Sequence, residues 1–288
     1  MKIDDNFAKH IVINGSMYEA GTSVTSLPED HGFCETPESS VIYEVIRFIN
    51  GRPLYLEDHY DRLLQSAAMI GHTNIIDKQT LLEYSKMLLK INGLENCNIK
   101  VMSLIQKEAD EMAPFVIYNS KFFYPPESAY SEGVATDCFE IVRNMPNAKV
   151  RRAEYLAAIE RFKNTAGRPL FEVLLVNQEG EITEGSKSNL FFVKNKTVIT
   201  APDSVVLKGV MRKHVLELCD MLDIPVDCRA VTKDELPEMD AAFLTGTSIK
   251  VLPVGSVGTH VLSSAENAAV KKIMTALSED IAADTAGE

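Results

Sequence analysis

The sequence has no block of basic residues, no paired-cysteine motif, no internal repeat and no low-complexity segment. It also has no apolar run that approaches the ~20 residues of a membrane span. Each absence removes a class of function. The net charge is −12 over 288 residues, so the chain as a whole repels phosphate backbones and nucleic acid is a poor partner. A small anion can still meet a few Lys and Arg that converge in space. Cys34, Cys97, Cys138, Cys219 and Cys228 are scattered and odd in number. That pattern argues against a disulfide framework or a zinc site, and for free thiols in a reducing cytoplasm. No metal is expected. The start Met1-Lys2-Ile3-Asp4-Asp5 lacks the apolar core of a signal peptide, so a cytoplasmic protein is expected. Neither a GxGxxG motif nor a P-loop occurs, which leaves nucleotide binding with little direct support.

What is present suits a globular protein. Apolar residues make up 45% and charged residues 24%, enough for a core that needs no staples. Ile11 to Tyr18 reads as a hairpin turning at Asn14-Gly15. A polar stretch runs from Ser26 to Ser40. Val41 to Ile49 reads as a strand, followed by a turn at Asn50-Gly51. A helix is expected after Leu56, with Tyr60, Leu63, Leu64, Ala67 and Ile70 on one face and Gly71 as its stop. Thr80 and Glu83 are spaced as a capping box for a second helix ending near Gly93. Asn98 to Ile105 and Pro114 to Phe123 read as strands. Tyr124 to Gly133 is rich in Pro, Ser and Gly and reads as a linker.

The second half differs. Phe139 to Arg143 is strand-like, and Ala153 to Phe162 is helix-like. Short strands are expected at Phe171–Val176, Glu181–Thr183, Leu190–Val193, Thr197–Thr200, Ala241–Thr245 and Val251–Val257. Met211, Val215, Leu218 and Leu222 mark the buried face of a helix over Val210 to Leu222. Ser263 and Glu266 are spaced as a capping box for a last helix that buries Val270, Ile273, Leu277 and Ile281. Hairpins mixed with a few helices predict an α+β class. The expected domains are 1–123, a linker 124–133, and 134–288.

Three polar segments could carry chemistry. Glu184-Gly185-Ser186-Lys187-Ser188-Asn189 lies between strands. Leu207-Lys208-Gly209-Val210-Met211-Arg212 opens a helix, where free N–H groups suit an anion. Leu244-Thr245-Gly246-Thr247-Ser248 is a hydroxyl-rich turn. Taken singly, each reads as a solvated turn or an ordinary helix start.

In order, however, they form a set with Tyr155-Leu156, Glu181-Ile182-Thr183-Glu184-Gly185, Ser188-Asn189-Leu190-Phe191 and Ala201-Pro202. The first half adds Tyr43-Glu44-Val45-Ile46-Arg47 and Glu57-Asp58-His59-Tyr60-Asp61-Arg62-Leu63. This set resembles the fold-type IV pyridoxal-phosphate enzymes, the family of branched-chain and D-amino-acid aminotransferases and of aminodeoxychorismate lyase. The resemblance runs from about Ile11 to about Val257. It implies a two-domain α+β fold with the pyridoxal 5'-phosphate cleft between domains, and a homodimer acting on an amino acid and a 2-oxo acid.

The resemblance also implies roles. Arg62, Thr247, Ser248 and the backbone at Gly209, Val210 and Met211 would hold the cofactor phosphate. Glu184 would face the pyridine nitrogen, with Ser188 and Asn189 beside it, and Tyr155 would lie near the phenolic oxygen. Tyr43 and Arg47 would lie on the substrate side. Lys149 would form the Schiff base with the cofactor and then move the proton. Apart from the resemblance, Arg62 and Lys149 read as surface charges, and Tyr43 and Tyr155 as packing residues.

Some positions depart from the family pattern. Lys149 stands six residues before Tyr155, one more than usual, so counting from Tyr155 puts Val150 in the lysine slot. Glu154 replaces the common asparagine and Met211 the usual threonine. Glu38-Ser39-Ser40 brings an extra carboxylate near the first strand, and Arg151 and Arg152 add unexplained positive charge. Three readings stand: an aminotransferase, a lyase of the aminodeoxychorismate type, and a non-catalytic relative.

Overall fold

The computed structural model describes residues 2–20, 25–27, 32–36, 39–106, 111–141, 145–151 and 153–286. Contacts divide the chain into two compact units. The first holds Met1–Phe122, Ala148–Arg151 and Asp284–Glu288, and the second Phe123–Asn147 and Arg152–Ala283.

The first unit contains β1 (Lys2–Ile3), β2 (His10–Ile13), β3 (Ser16–Glu19), β4 (Thr25–Ser26), β5 (Ser40–Ile49), β6 (Arg52–Pro53), α1 (Leu56–Met69), α2 (Lys78–Asn92), β7 (Cys97–Ile105) and β8 (Phe115–Ser120). Its main sheet has the order β3-β2-β8-β7-β5-β6, and β1 pairs with β4. Both expected Asn-Gly turns form, with φ of 46° and 84° at Asn14-Gly15 and 50° and 76° at Asn50-Gly51. Those left-handed pairs match the twist of the strands they join.

Alternation along β5 sets the two faces of this sheet. Ile42, Ile46 and Phe48 enter one core with Leu63 and Ala67 of α1 and Leu81, Leu88 and Leu89 of α2. Val41 enters a second core with Ile3, Ile11, Met102, Leu104, Val116 and Tyr118, and Tyr43 packs against it. Glu44 shares the register of Ile42 and Ile46, so the alternation drives a carboxylate into the helix-facing layer.

Helix α2 begins differently from its expected capping box. The carboxylate of Asp77, in extended backbone, accepts from Thr80 N at 2.9 Å. Thr80 is therefore the amide being capped, because Asp77 is the residue with the extended dihedrals a cap requires. The helix ends as expected, at left-handed Gly93.

The second unit contains α3 (Glu127–Glu132), β9 (Val134–Glu140), α4 (Ala153–Thr165), β10 (Glu172–Val176), β11 (Glu181–Gly185), β12 (Asn189–Lys194), β13 (Thr197–Thr200), α5 (Val210–Met221), β14 (Val226–Cys228), β15 (Val231–Thr232), β16 (Ala241–Gly246), β17 (Lys250–Val257), β18 (His260–Val261) and α6 (Ala268–Ala286). Its sheet has the order β14-β13-β12-β16-β17-β9-β10-β11-β15, with β18 on β17. β9 runs parallel to β10, and α4 supplies the crossover such a pair requires. Ile159 of α4 seats in a core with Val173 and Leu175, flanked by Tyr155 and Phe162.

Four boundaries differ from expectation. Residues 124–133 carry helix α3 and group with the second unit, and β9 starts at Val134 where Phe139 was expected to begin a strand. Residues 148–151 group with the first unit, away from the sequence that flanks them. The last helix starts at Ala268, where Asn267 Oδ1 accepts from Ala269 N and Val270 N at 3.0 and 3.2 Å. Ser263 instead precedes a short 3-10 turn, Ser264–Glu266, that ends at Glu266. The buried residues of α6 are the four expected. No helix among the described residues is long and apolar enough to cross a membrane.

Candidate active site

In the first unit, the inward stripe of α1 is partly polar. His59, Arg62 and Ser66 share it with Leu63 and Ala67, all buried. The spacing i, i+3, i+4, i+7 and i+8 puts these five on one face, and that face meets Glu44. Glu44 Oε1 accepts from Arg62 Nε at 2.7 Å, and Oε2 from Arg62 Nη2 at 2.8 Å. His59 Nδ1 lies 2.9 Å from Oε2, and because the ion-paired carboxylate can only accept, the ring carries its proton on Nδ1.

Burial alone would raise the Glu44 pKa, but the charges of Arg62 and Lys149 and the bonds from Arg62 and His59 outweigh it. The carboxyl is held well below its usual range. Burial pushes His59 the other way for a base, downward, against the pull of Glu44. The imidazole is therefore neutral at pH 7. Burial also acts to lower the Arg62 pKa, and Glu44 reverses this, so the guanidinium is firmly charged.

Lys149 runs beside the edge of β5. Its N–H donates to Ser66 Oγ at 3.1 Å, its carbonyl accepts from Tyr43 N at 3.1 Å, and Arg151 N donates to Val41 O at 2.8 Å. Val150 pairs with Ile42 and packs against the core. The Lys149 ammonium sits 5.3 Å from the centroid of the Tyr43 ring, and that of Lys100 lies 5.1 Å from the same ring. Lys149, not Val150, thus presents its side chain toward Tyr43, and its charge acts on Glu44 and His59. Arg151 reaches toward Asp4, with Nη2 3.9 Å from Oδ2. Arg47 shares Tyr43's face of β5, four residues and roughly 13 Å further along the strand. Glu38 and Arg152 lie outside the described residues.

In the second unit, Glu184 is buried near the end of β11. Its Oε2 accepts from Leu207 N at 3.0 Å and from Asn189 Nδ2 at 3.3 Å. Asn189 Nδ2 also donates to Leu207 O at 2.8 Å. Asn189 therefore ties β12 to the segment before α5. Gly209 is required by this approach, since a Cβ there would lie 1.9 Å from Asn189 Oδ1. Helix α5 starts immediately after, with no side-chain cap and no acidic residue in its first turn. The helix's own first turn thus offers no carboxylate to its positive end, and the nearby Asp203 carboxylate pairs with Arg212 at 2.6 Å. Val210 is buried, and Met211 spends its side chain in the core. Thr247 and Ser248 are half-buried in the turn between β16 and β17.

The Ser188 hydroxyl donates to Glu172 Oε2 at 3.0 Å, so it is engaged within the protein. Tyr155 donates its hydroxyl to Ser186 O at 3.2 Å. The sequence reading passed over Glu44, His59, Ser66 and Glu172. The missed signal was polarity at inward positions: Glu44 between Ile42 and Ile46, His59 and Ser66 on the stripe of Leu63, and Glu172 at the head of the apolar run Val173 to Val176.

These groups stand within a segment that comparison with known proteins identifies. Residues 41–257 match the family described as amino-transferase class IV. The chain belongs to the class IV aminotransferases. It is 28% identical to the D-alanine aminotransferase of Bacillus licheniformis over 284 residues, 96% of this chain and 98% of that one. It superimposes on the branched-chain amino acid aminotransferase of Escherichia coli with a TM-score of 0.79, 21% identity and coverage of 96% of both chains. A Legionella pneumophila chain assigned as a 4-amino-4-deoxychorismate lyase gives 0.70 at 21% identity, covering 83% and 91%. At those identities the two structures share the fold with this class IV aminotransferase, and the lyase likeness goes no further. The protein is an enzyme of the aminotransferase class, and the reading as a non-catalytic relative is set aside. Its fold is the two-domain α+β fold of that family.

Proposed function

We propose that this aminotransferase uses pyridoxal 5'-phosphate to move an amino group between an amino acid and a 2-oxo acid, with Lys149 as its catalytic amine. The observation that carries the reading is Lys149 itself. Counted from Tyr155, the amine stands one residue out of place, yet Val150 turns into the core and Lys149 toward Tyr43.

The donor chemistry fits the cofactor. Arg62 is a firmly charged guanidinium, and α5 begins without a side-chain cap; both suit a phosphate dianion. Glu184 is a buried carboxylate suited to a protonated pyridine nitrogen. The pyridoxal ring supplies an electron sink for the substrate's α-carbon. The residues do the rest. By the family resemblance, Arg62, Thr247, Ser248 and the amides of Val210 and Met211 would hold the phosphate. Glu184 and Tyr155 would hold the ring. The Lys149 amine would be the group that takes a proton from the substrate carbon and later gives one back.

Lys100, paired with Asp5 at 2.9 Å, places a second ammonium over the Tyr43 ring beside that of Lys149, which suits substrates that carry carboxylates. Tyr43 and Arg47 are the substrate-side residues of this proposal. The pairing of chains into a homodimer belongs to it through the family resemblance. A cytoplasmic location belongs to it as well, supported by five free thiols of which Cys34 and Cys228 are exposed.

Borohydride reduction of the purified protein, followed by peptide mass spectrometry, tests the reading. A pyridoxyl mass on the peptide containing Lys149, absent from Lys149→Ala, is the expected result. An unmodified Lys149 in protein supplied with the cofactor overturns it. Amino transfer to a 2-oxo acid separates this activity from a lyase, which would release pyruvate from 4-amino-4-deoxychorismate without an acceptor.

A further inference from the structure

Among the described residues of the second unit, Glu172 is a buried carboxylate outside the proposed cofactor contacts. It opens β10 at 4% exposure. Its partners are dipoles: Oε1 accepts from Ser186 Oγ at 2.5 Å and Val173 N at 2.9 Å, and Oε2 from Ser188 Oγ at 3.0 Å and Lys187 N at 3.2 Å. Three of those four donors belong to the loop 185–188 that joins β11 to β12. The loop is wound tightly on the carboxylate. A Cβ at Gly185 would lie 2.2 Å from Ser188 Oγ and 3.0 Å from Glu172 Cγ. Gly185 N also donates to Ser188 O, and Ser186 N to Val173 O, both at 2.8 Å.

That loop is bracketed by Glu184 on one side and Asn189 on the other. Its Ser186 carbonyl also receives the Tyr155 hydroxyl. Both side chains assigned to the ring of the cofactor, Glu184 and Tyr155, therefore hang on the segment Glu172 holds. A charged acceptor taking four donors in a dry setting is a stiff anchor, since hydrogen bonds to an ion are about twice as strong as neutral ones. Removing one acceptor leaves a buried donor without its partner.

We propose that Glu172 is a positioning residue: it fixes the 185–188 loop so that Glu184 and Tyr155 meet the cofactor ring in register. This rests on the cofactor reading above, and its consequence differs from plain fold stability. Glu172→Gln keeps the shape but replaces one acceptor oxygen by an NH2 that cannot serve a backbone N–H. The holoenzyme variant is expected to lose kcat by about 10-fold or more while KM for the amino donor moves by less than about 3-fold, the signature of a lost transition-state arrangement. Three further readouts are independent of turnover. The cofactor should dissociate faster, and its absorbance spectrum should shift. In cofactor-free protein the Lys187 amide should exchange hydrogen faster. Combining Glu172→Gln with Tyr155→Phe should cost less than the sum of the two, because both loosen the same contact.

Ser186→Ala and Ser188→Ala remove one donor each and serve if Glu172→Gln does not fold. They should reproduce the spectral shift in smaller measure. A Glu172→Gln protein that melts earlier but keeps wild-type kcat, spectrum and cofactor release overturns the proposal, as does full additivity with Tyr155→Phe. A wild-type protein that takes no pyridoxyl label on Lys149 overturns the cofactor reading itself. A labelled wild type with an unaffected variant overturns the Glu172 role alone.

Discussion

Glu44 shows how one misfit in a pattern organises a site. Strand alternation sends its carboxylate toward α1, and the stripe spacing of α1 sends Arg62 and His59 to meet it. The pair is stable because both Arg62 N–H groups on one edge are used and His59 completes the carboxylate. Breaking it by Glu44→Ala leaves a buried guanidinium uncompensated, expected to cost about 3–5 kcal/mol in urea unfolding. The same residues fix the sign of the pH dependence. Folded His59 resists protonation while the unfolded ring accepts a proton near its ordinary 6.5, so acid favours the unfolded chain below that pH. Glu44 adds a second loss as pH falls below the ordinary carboxyl value of 4.5 toward its own lower one. Urea midpoints should therefore fall from pH 7.5 to 5.5, and His59→Asn, which retains a donor for Glu44, should flatten that fall. A wild-type midpoint that does not drop would contradict the neutral buried imidazole.

At the scale of elements, most strands and helices were legible because their apolar residues repeat with the period of their backbone. Both Asn-Gly turns, the stop at Gly93 and the buried face of α6 follow from local chemistry. The capping boxes did not, since Thr80 and Glu83 match the spacing while Asp77 has the dihedrals. The two alternatives are separable by mutation. Asp77→Ala should cost about 1 kcal/mol, and Glu83→Ala should stay within about 0.5 kcal/mol. Equal losses at both positions would restore the capping box. Residues 124–133 misled for a similar reason. Pro125-Pro126 forbids helix where it stands, yet Pro126 is well suited to precede one, and α3 begins at Glu127.

The molecule as a whole is less sequential than its chain. Residues 148–151 complete the first unit by covering the β5 edge at Val41 to Tyr43 and engaging Ser66. Asp284 completes it again by accepting from Tyr55 N at 2.9 Å. A chain cut at residue 123 therefore lacks an edge cover and exposes unpaired strand groups, which favour aggregation. Such a fragment should unfold at lower urea than one carrying residues 148–151 on a short Gly-Ser linker. Equal midpoints would show the edge segment to be dispensable.

Composition, charge and ordered motifs were enough to exclude membrane-spanning helices, disulfide scaffolds and nucleic-acid binding as sequence expectations, and to point to the family, because those properties are local or additive along the chain. The choice between Lys149 and Val150 was not of that kind. Counting from Tyr155 measures distance along a loop, and a loop can absorb one residue without trace. Only the pairing of Val150 with Ile42 decides which side chain turns inward, since neighbours in an extended segment point to opposite faces. The Glu172 anchor was hidden for the same reason. Three of its four donors lie 14 to 16 residues ahead, and no local pattern reports what a carboxylate will meet once the sheet closes.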